Sequence, residues 1–210
     1  MSEISSPAGV IAASGISRSR RIIRDKRIVE DGWVLITGVD DAAFHEMLDG
    51  DRESAVADMI VPLDLWLAKK NDLTQRTGRV GVWLDSHEEP DLLAGDLSTL
   101  PLVAVNFPQF VDGRGYSIGR LLRERYGYRG ELRAIGDVLR DQVFYLHRCG
   151  FNALAVRADK SIEDALQAFN DFSDGYQASV DQPVPYFRRR LGKIPSPSRG
   201  KGLLRNHHES

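Results

Sequence analysis

From Asn106 onward the chain reads NFPQFVDGRGYSIG, and its chemically most pointed piece is Asp112-Gly113-Arg114-Gly115-Tyr116-Ser117. Two glycines around an arginine, just ahead of a helical pattern, let backbone N–H groups approach an anion. The guanidinium then supplies two more donors, and Ser117 adds a hydroxyl. The same residues also suit a tight turn with a solvated arginine. Gly113, Gly115 and Gly119 spell G-x-G-x-x-x-G, a variant of the dinucleotide fingerprint. That fingerprint needs a tight strand-to-helix turn, whereas Phe107 to Asp112 intervene here. The segment therefore marks a candidate loop for a small oxyanion or a nucleotide, and it names no reaction.

Further polar residues belong with it. Asp85, Asn106, Asp137 and Arg157 each stand at or just past the end of an apolar, strand-like run. In parallel α/β sheets ligands collect beyond the carboxyl ends of strands, where helix N-termini also point. Asp or Asn in these places also serves as an ordinary helix cap. Asp137, Arg140 and Asp141 open the next helical pattern, and two carboxylates are electrostatically comfortable at a positive helix end. The pair suits acid/base chemistry or a hard cation, and equally a capped, solvated helix start.

Several chemistries find no support. Cys149 is the single cysteine, so one chain can form no disulfide, dithiol pair or cysteine-ligated cluster. It falls at a helix C-terminal end, where the dipole does not help thiolate formation, and reads as a small buried residue. His147 reads as a packed or surface histidine, and His207 and His208 carry no weight at the chain end. No Ser–His–Asp set, His/Cys metal cluster or P-loop pattern stands out, and no cofactor is indicated.

These residues need elements to position them. Arg79 to Leu84, Leu102 to Val105, Glu131 to Ile135 and Asn152 to Val156 read as strands, the second an unbroken apolar run of the kind buried on both faces. Between them lie helical patterns. Ser86 and Glu89 have capping-box spacing with Pro90 in the first turn, and Leu92, Leu93 and Leu97 on the inner face. Ile118, Leu121, Leu122 and Tyr126 form one stripe of a helix from about Tyr116 to Tyr126. A helix from about Asp137 to Cys149 buries Leu139, Val143 and Leu146, and stops at Gly150. Ser161 caps a last helix striped by Ile162, Ala165, Leu166, Phe169 and Phe172. Alternation at roughly 22 to 30 residues implies successive βα units and a mainly parallel sheet, either open or a partial barrel-like arc.

Ahead of this block, Ile22-Ile23, Ile28-Val29 and Trp33 to Ile36 are short β-prone runs broken by Asp25-Lys26 and Asp31-Gly32. Asp-Gly between apolar runs signals a hairpin, so a small antiparallel meander is expected. Residues 40–60 are weakly patterned, a loop with a short helix, and 60–70 fits helix or strand. The predicted organisation is a disordered start (1–19), one α/β domain (20–176, most regular over 79–173) and a flexible basic tail (177–210). The tail carries Arg188-Arg189-Arg190, Lys193, Arg199, Lys201 and Arg205. It is either solvated or a docking arm for an acidic protein partner.

With 210 residues, 42% hydrophobic and 28% charged, the composition is that of an ordinary soluble globular protein. A formal net charge of -2 gives no overall pull toward nucleic acid or anionic membrane. No stretch of about 20 apolar residues and no charged leader is present, so a cytoplasmic location is expected.

The run from Phe107 to Phe151, preceded by GVWLDSHEEPDLL, resembles the core of a bacterial family without an assigned activity. The segments DGRGYS, GELRAIGDV and DQVFYLHRCGF carry the likeness, which extends over about Val80 to Tyr176. Members of that family tend to be encoded beside assimilatory sulfite reductase and sulfate-activation genes, and are often labelled oxidoreductases of sulfite reduction. The resemblance implies a place in sulfur assimilation, with sulfite reductase or its electron donor as partner. It carries over no catalytic residues.

Overall fold

The structure is a computed structural model describing residues 16–17, 21–37, 57–171, 179–185 and 188. Its strands are β1 (Ile16–Ser17), β2 (Arg21–Arg24), β3 (Arg27–Glu30), β4 (Trp33–Ile36), β5 (Asp58–Pro62), β6 (Val80–Leu84), β7 (Leu102–Phe107), β8 (Glu131–Gly136) and β9 (Ala153–Leu154). The helices described are α1 (Leu63–Gln75), α2 (Arg114–Glu124), α3 (Val143–Arg148) and α4 (Ile162–Gln167). All described strands belong to one sheet in the order β1-β4-β5-β6-β7-β8-β9-β2-β3. From β4 through β9 the neighbours run parallel, while β1 on β4, β2 on β9 and β3 on β2 are antiparallel. The fold is α/β, as the alternation of patterns implies.

The sheet is curled into a half-barrel. Strands β3 and β4 stand far apart in its order, yet only Asp31 and Gly32 join them. Two residues span less than about 11 Å, so the far edge must bend round to meet the near one. Two apolar layers follow from this shape. On the outer face Val34, Val61, Val82, Val103, Val105 and Leu132 pack under the helices. On the inner face Trp33, Ile60, Trp83, Leu102, Ala104 and Ile135 form a separate cluster. Strict alternation along each strand produces the division. The Trp83 indole N–H reaches across that inner face to the carbonyl of Ile36 at 2.8 Å.

Several local expectations change. The hairpin turn is Asp25-Lys26, with φ of 50° and 60°. A turn with both central residues at positive φ matches the twist of paired strands. Asp31-Gly32 makes no hairpin, because the Asp31 carboxylate accepts the Trp33 N–H at 3.1 Å and sends the chain across the molecule. The ambiguous stretch resolves into β5 running directly into α1, with Leu63, Trp66 and Leu73 buried. No loop separates the two, which is why no boundary shows in the sequence.

The expected helix after β6 is a short 3-10 turn at Pro90–Leu93. Leu93 and Leu97 are buried there, but Leu92 is exposed. The helix expected from Asp137 begins later, as a 3-10 turn at Arg140–Gln142 followed by α3. Val138 is buried beside Val143 and Leu146, whereas Leu139 is only partly so. Ser161 caps α4 as expected, its Oγ accepting the Asp164 N–H at 3.1 Å.

Residues 38–56, Phe172, Tyr176 and most of the basic tail lie outside the described residues. Ile16 and Ser17, within the stretch expected to be disordered, pair with β4. Within the stretch expected to be a tail, Val180 donates its N–H to the Arg148 carbonyl at 3.1 Å. No helix among the described residues is long and apolar enough to cross a membrane.

Candidate functional site

Strand alternation explains how the polar residues meet. Trp83, Ala104 and Ile135 face the inside of the curl, with Ala155 packed against them. Two residues further along each chain come Asp85, Asn106, Asp137 and Arg157, so period-two geometry sets all four toward the same carboxyl-end rim. Register agrees, since Leu84 pairs with Val105 and Asn106 with Ile135.

Contacts join this set pair by pair. The Asn106 Nδ2 donates to Asp85 Oδ1 at 3.1 Å. Arg157 Nη1 donates to Asp137 Oδ1 at 2.7 Å, while Arg157 Nε and Nη2 hold Asp159 at 2.6 and 3.0 Å. The other oxygen of Asp137 accepts the Phe110 N–H at 2.9 Å, which anchors the β7–α2 loop on the rim. In that loop Asp112 is gripped by Arg114 through Nε at 3.0 Å and Nη2 at 2.7 Å. Arg114 and the Ser86 hydroxyl together hold the Asp112 carboxyl well below the usual carboxylate range.

Within the glycine-arginine segment each residue has contacts of its own. Arg114 spends its two-pronged grip on Asp112. Gly113 is open to solvent and is the N-cap residue of α2 without a side-chain cap. At Gly115 an added Cβ would sit 2.7 Å from the Phe107 ring, so this glycine serves close packing of α2 on β7. Tyr116 stacks edge-on against Phe107 and Tyr145 at centroid distances of 5.1 and 4.8 Å, with burial raising its phenol pKa. Ser117 is exposed. Arg140 is tied instead to Asp164 and Asp171, at 3.1 and 3.0 Å, toward α4. Asp137 is not at a helix start and makes no pair with Asp141, which is exposed.

Four residues of the rim escaped the sequence reading. Ser86, expected to be a cap, is buried and bonded to Asp112. His87 Nδ1 lies 3.4 Å from Asp85 Oδ2. Glu88 accepts the Asp85 N–H at 2.6 Å, and burial pushes its carboxyl up. Gln142 is buried, accepting the Leu139 N–H at 2.8 Å and donating to the Phe110 carbonyl at 3.4 Å. A polar residue inside the apolar stripe Val138–Val143–Leu146 was the available signal for the last. Cys149 is buried, which raises its thiol pKa, and it adds nothing to the rim. Among the described residues no group of three or more His, Cys, Asp or Glu is placed to hold a metal ion.

Chemically the rim is a ring of oriented acceptors, with its guanidinium groups already paired. Such a place can orient a small polar ligand above the apolar interior of the curl. No curated protein matches the chain significantly. Residues 81–187, half of the chain and all but the first residue of the strands that build the rim, match the model of a bacterial protein family of unknown function, DUF934, and the protein belongs to that family.

Proposed function

We propose that this protein is an accessory of bacterial sulfur assimilation, acting with or near assimilatory sulfite reductase, and that it holds a small ligand at the carboxyl-end rim. The ligand part rests on one observation: four successive parallel strands deliver Asp85, Asn106, Asp137 and Arg157 to one rim, as two bonded pairs. The pathway part rests on the resemblance carried by DGRGYS, GELRAIGDV and DQVFYLHRCGF. An accessory role suits a chain with one buried cysteine and no dithiol pair or cysteine-ligated cluster of its own.

Co-purification from the native host tests the partnership. Untagged sulfite reductase or its electron donor is expected to elute with the tagged full chain, and repeated failure counts against the reading. A deletion strain provides the second arm. Growth on cysteine but not on sulfate or sulfite is the expected pattern, and unimpaired growth on sulfite refutes it.

A second reading is favoured by the start of α2, where Gly113 brings no side chain to the helix N-terminus and Asp112 accepts the first N–H, that of Arg114, at 3.1 Å. Here a small oxyanion or nucleotide takes the Asp112–Tyr116 loop, drawing Arg114 away from Asp112, in an enzyme or a sensor. Sulfite, sulfate or a nucleotide then raises the melting temperature, and Arg114→Ala abolishes the rise. Absence of any shift across such ligands removes this reading. A flavin or haem band in protein purified from its host would favour an oxidoreductase.

A further inference from the structure

One rim side chain has one of its two polar atoms without a partner among the described residues. Asn106 is only 7% exposed. A carboxylate accepts and cannot donate, so the amide nitrogen must face Asp85 and the oxygen must face away. That oxygen is buried and has no donor among the described residues. It points to the carboxyl end of β8, over Gly136, where an added Cβ would stand 2.5 Å from it. A buried acceptor left without a donor is rare and calls for an explanation.

The surrounding donors cannot supply one. Arg114 commits Nε and Nη2 to Asp112, and Arg157 commits all three guanidinium nitrogens to Asp137 and Asp159. Asp85, Asp112 and Asp137 outnumber the two guanidinium groups, so the local field is negative. A free oxyanion meets repulsion there, from carboxylates toward which both guanidinium groups are already turned. A group bringing N–H or O–H donors meets the Asn106 oxygen, with the Asp85 carboxylate on the far side of the same amide.

We propose that the rim binds its ligand through a hydrogen-bond-donating head group, an ammonium or a hydroxyl, received by Asn106 Oδ1 with Asp85 behind it. The inference rests on the rim being a ligand site and names the class of ligand it takes. Gly136 is part of the device, because any side chain there would cover the oxygen.

The test uses the ¹⁵N-labelled full chain in NMR titrations, with ethanolammonium as the donor probe and sulfate as the anion probe. Ethanolammonium is expected to move the signals of Asp85 to Glu88, Gly136 and the Asn106 side-chain amide saturably, with sulfate leaving them in place. Asn106→Leu is expected to weaken that binding about tenfold or more, by the loss of one charge-assisted bond. Should Asn106→Leu not fold, Asp85→Asn serves instead, since it lets the Asn106 amide turn and satisfy its oxygen internally. Binding equal to wild type in the folded variant overturns the proposal. Saturable shifts from sulfate alone overturn it while keeping the rim as an anion site. If neither probe moves the rim signals, this proposal falls with the ligand reading, and co-purification still judges the accessory role independently.

Discussion

A guanidinium on a rim can hold the protein's own loops or hold a ligand, and Arg114 and Arg157 are committed to the first use by their paired carboxylates. The exposure of Arg114 keeps the energetic worth of its pair small, and its effect is to fix the shape of the loop. His147 shows a different residue-scale effect. Its ring packs edge-on to Phe169 at 5.5 Å. Burial, reinforced by the charge of Lys26, lowers its pKa below the ordinary 6.5. Between those two values the unfolded chain binds a proton that the folded chain does not, so stability rises with pH there. Acidification below about pH 6.5 is therefore expected to lower the melting temperature more in wild type than in His147→Gln. Melting curves between pH 7 and pH 5 measure the difference, and parallel slopes for the two proteins would remove this role.

Helix α2 sits close enough to the sheet that two of its glycines face aromatic rings, Gly115 against Phe107 and Gly119 against Phe151. An added methyl at Gly119 would clash with the Phe151 ring. In an exposed helix Gly→Ala gains about 1 kcal/mol of propensity, but overpacking costs about 1–3 kcal/mol. Gly119→Ala is thus expected to lower the urea midpoint, and Phe151→Leu in the same chain to recover part of the loss. Equal losses in single and double variants would mean that helix-to-sheet distance is not what this glycine sets. The same residues show what was legible in the sequence. Spacing of Gly113, Gly115 and Gly119 signalled an unusual helix start, but a glycine that admits an anion and one that admits a phenyl ring look alike until the partner is known. Apolar periodicity revealed β6 to β9 and α2, because each has a full pattern bounded by turn residues. Strand β5 was hidden by its direct junction with α1, and the partners of β4, though not the strand itself, by an Asp-Gly pair that turns the chain without pairing its flanks. Rim positions could be read from strand ends, whereas their pairings depend on which face each residue takes in the curl.

At the scale of the whole sheet, a buried ion pair far from the rim bridges the curl. Arg133 of β8 reaches Asp31, in the two-residue link from β3 to β4, at 2.9 Å, with the two side chains 2% and 4% exposed. Glu131 takes the other side of the guanidinium at 2.7 Å. The pair ties β8 to the point where the sheet turns back on itself. Burial outweighs the attraction of Arg133 for Asp31, whose carboxyl is raised above its ordinary 3.8. An ion pair of this kind is weak evidence of net stabilisation, yet removing one partner alone strands the other charge. Arg133→Met is accordingly expected to cost about 3–5 kcal/mol in urea denaturation. Adding Asp31→Asn, which keeps an oxygen for the Trp33 N–H, is expected to restore most of the loss. The deficit of the single variant should also shrink as pH falls toward 3.8, because protonation relieves the stranded carboxylate. A deficit that is independent of pH and unrelieved by Asp31→Asn would mean that Arg133 acts by filling space inside the curl, and that backbone pairing alone closes it.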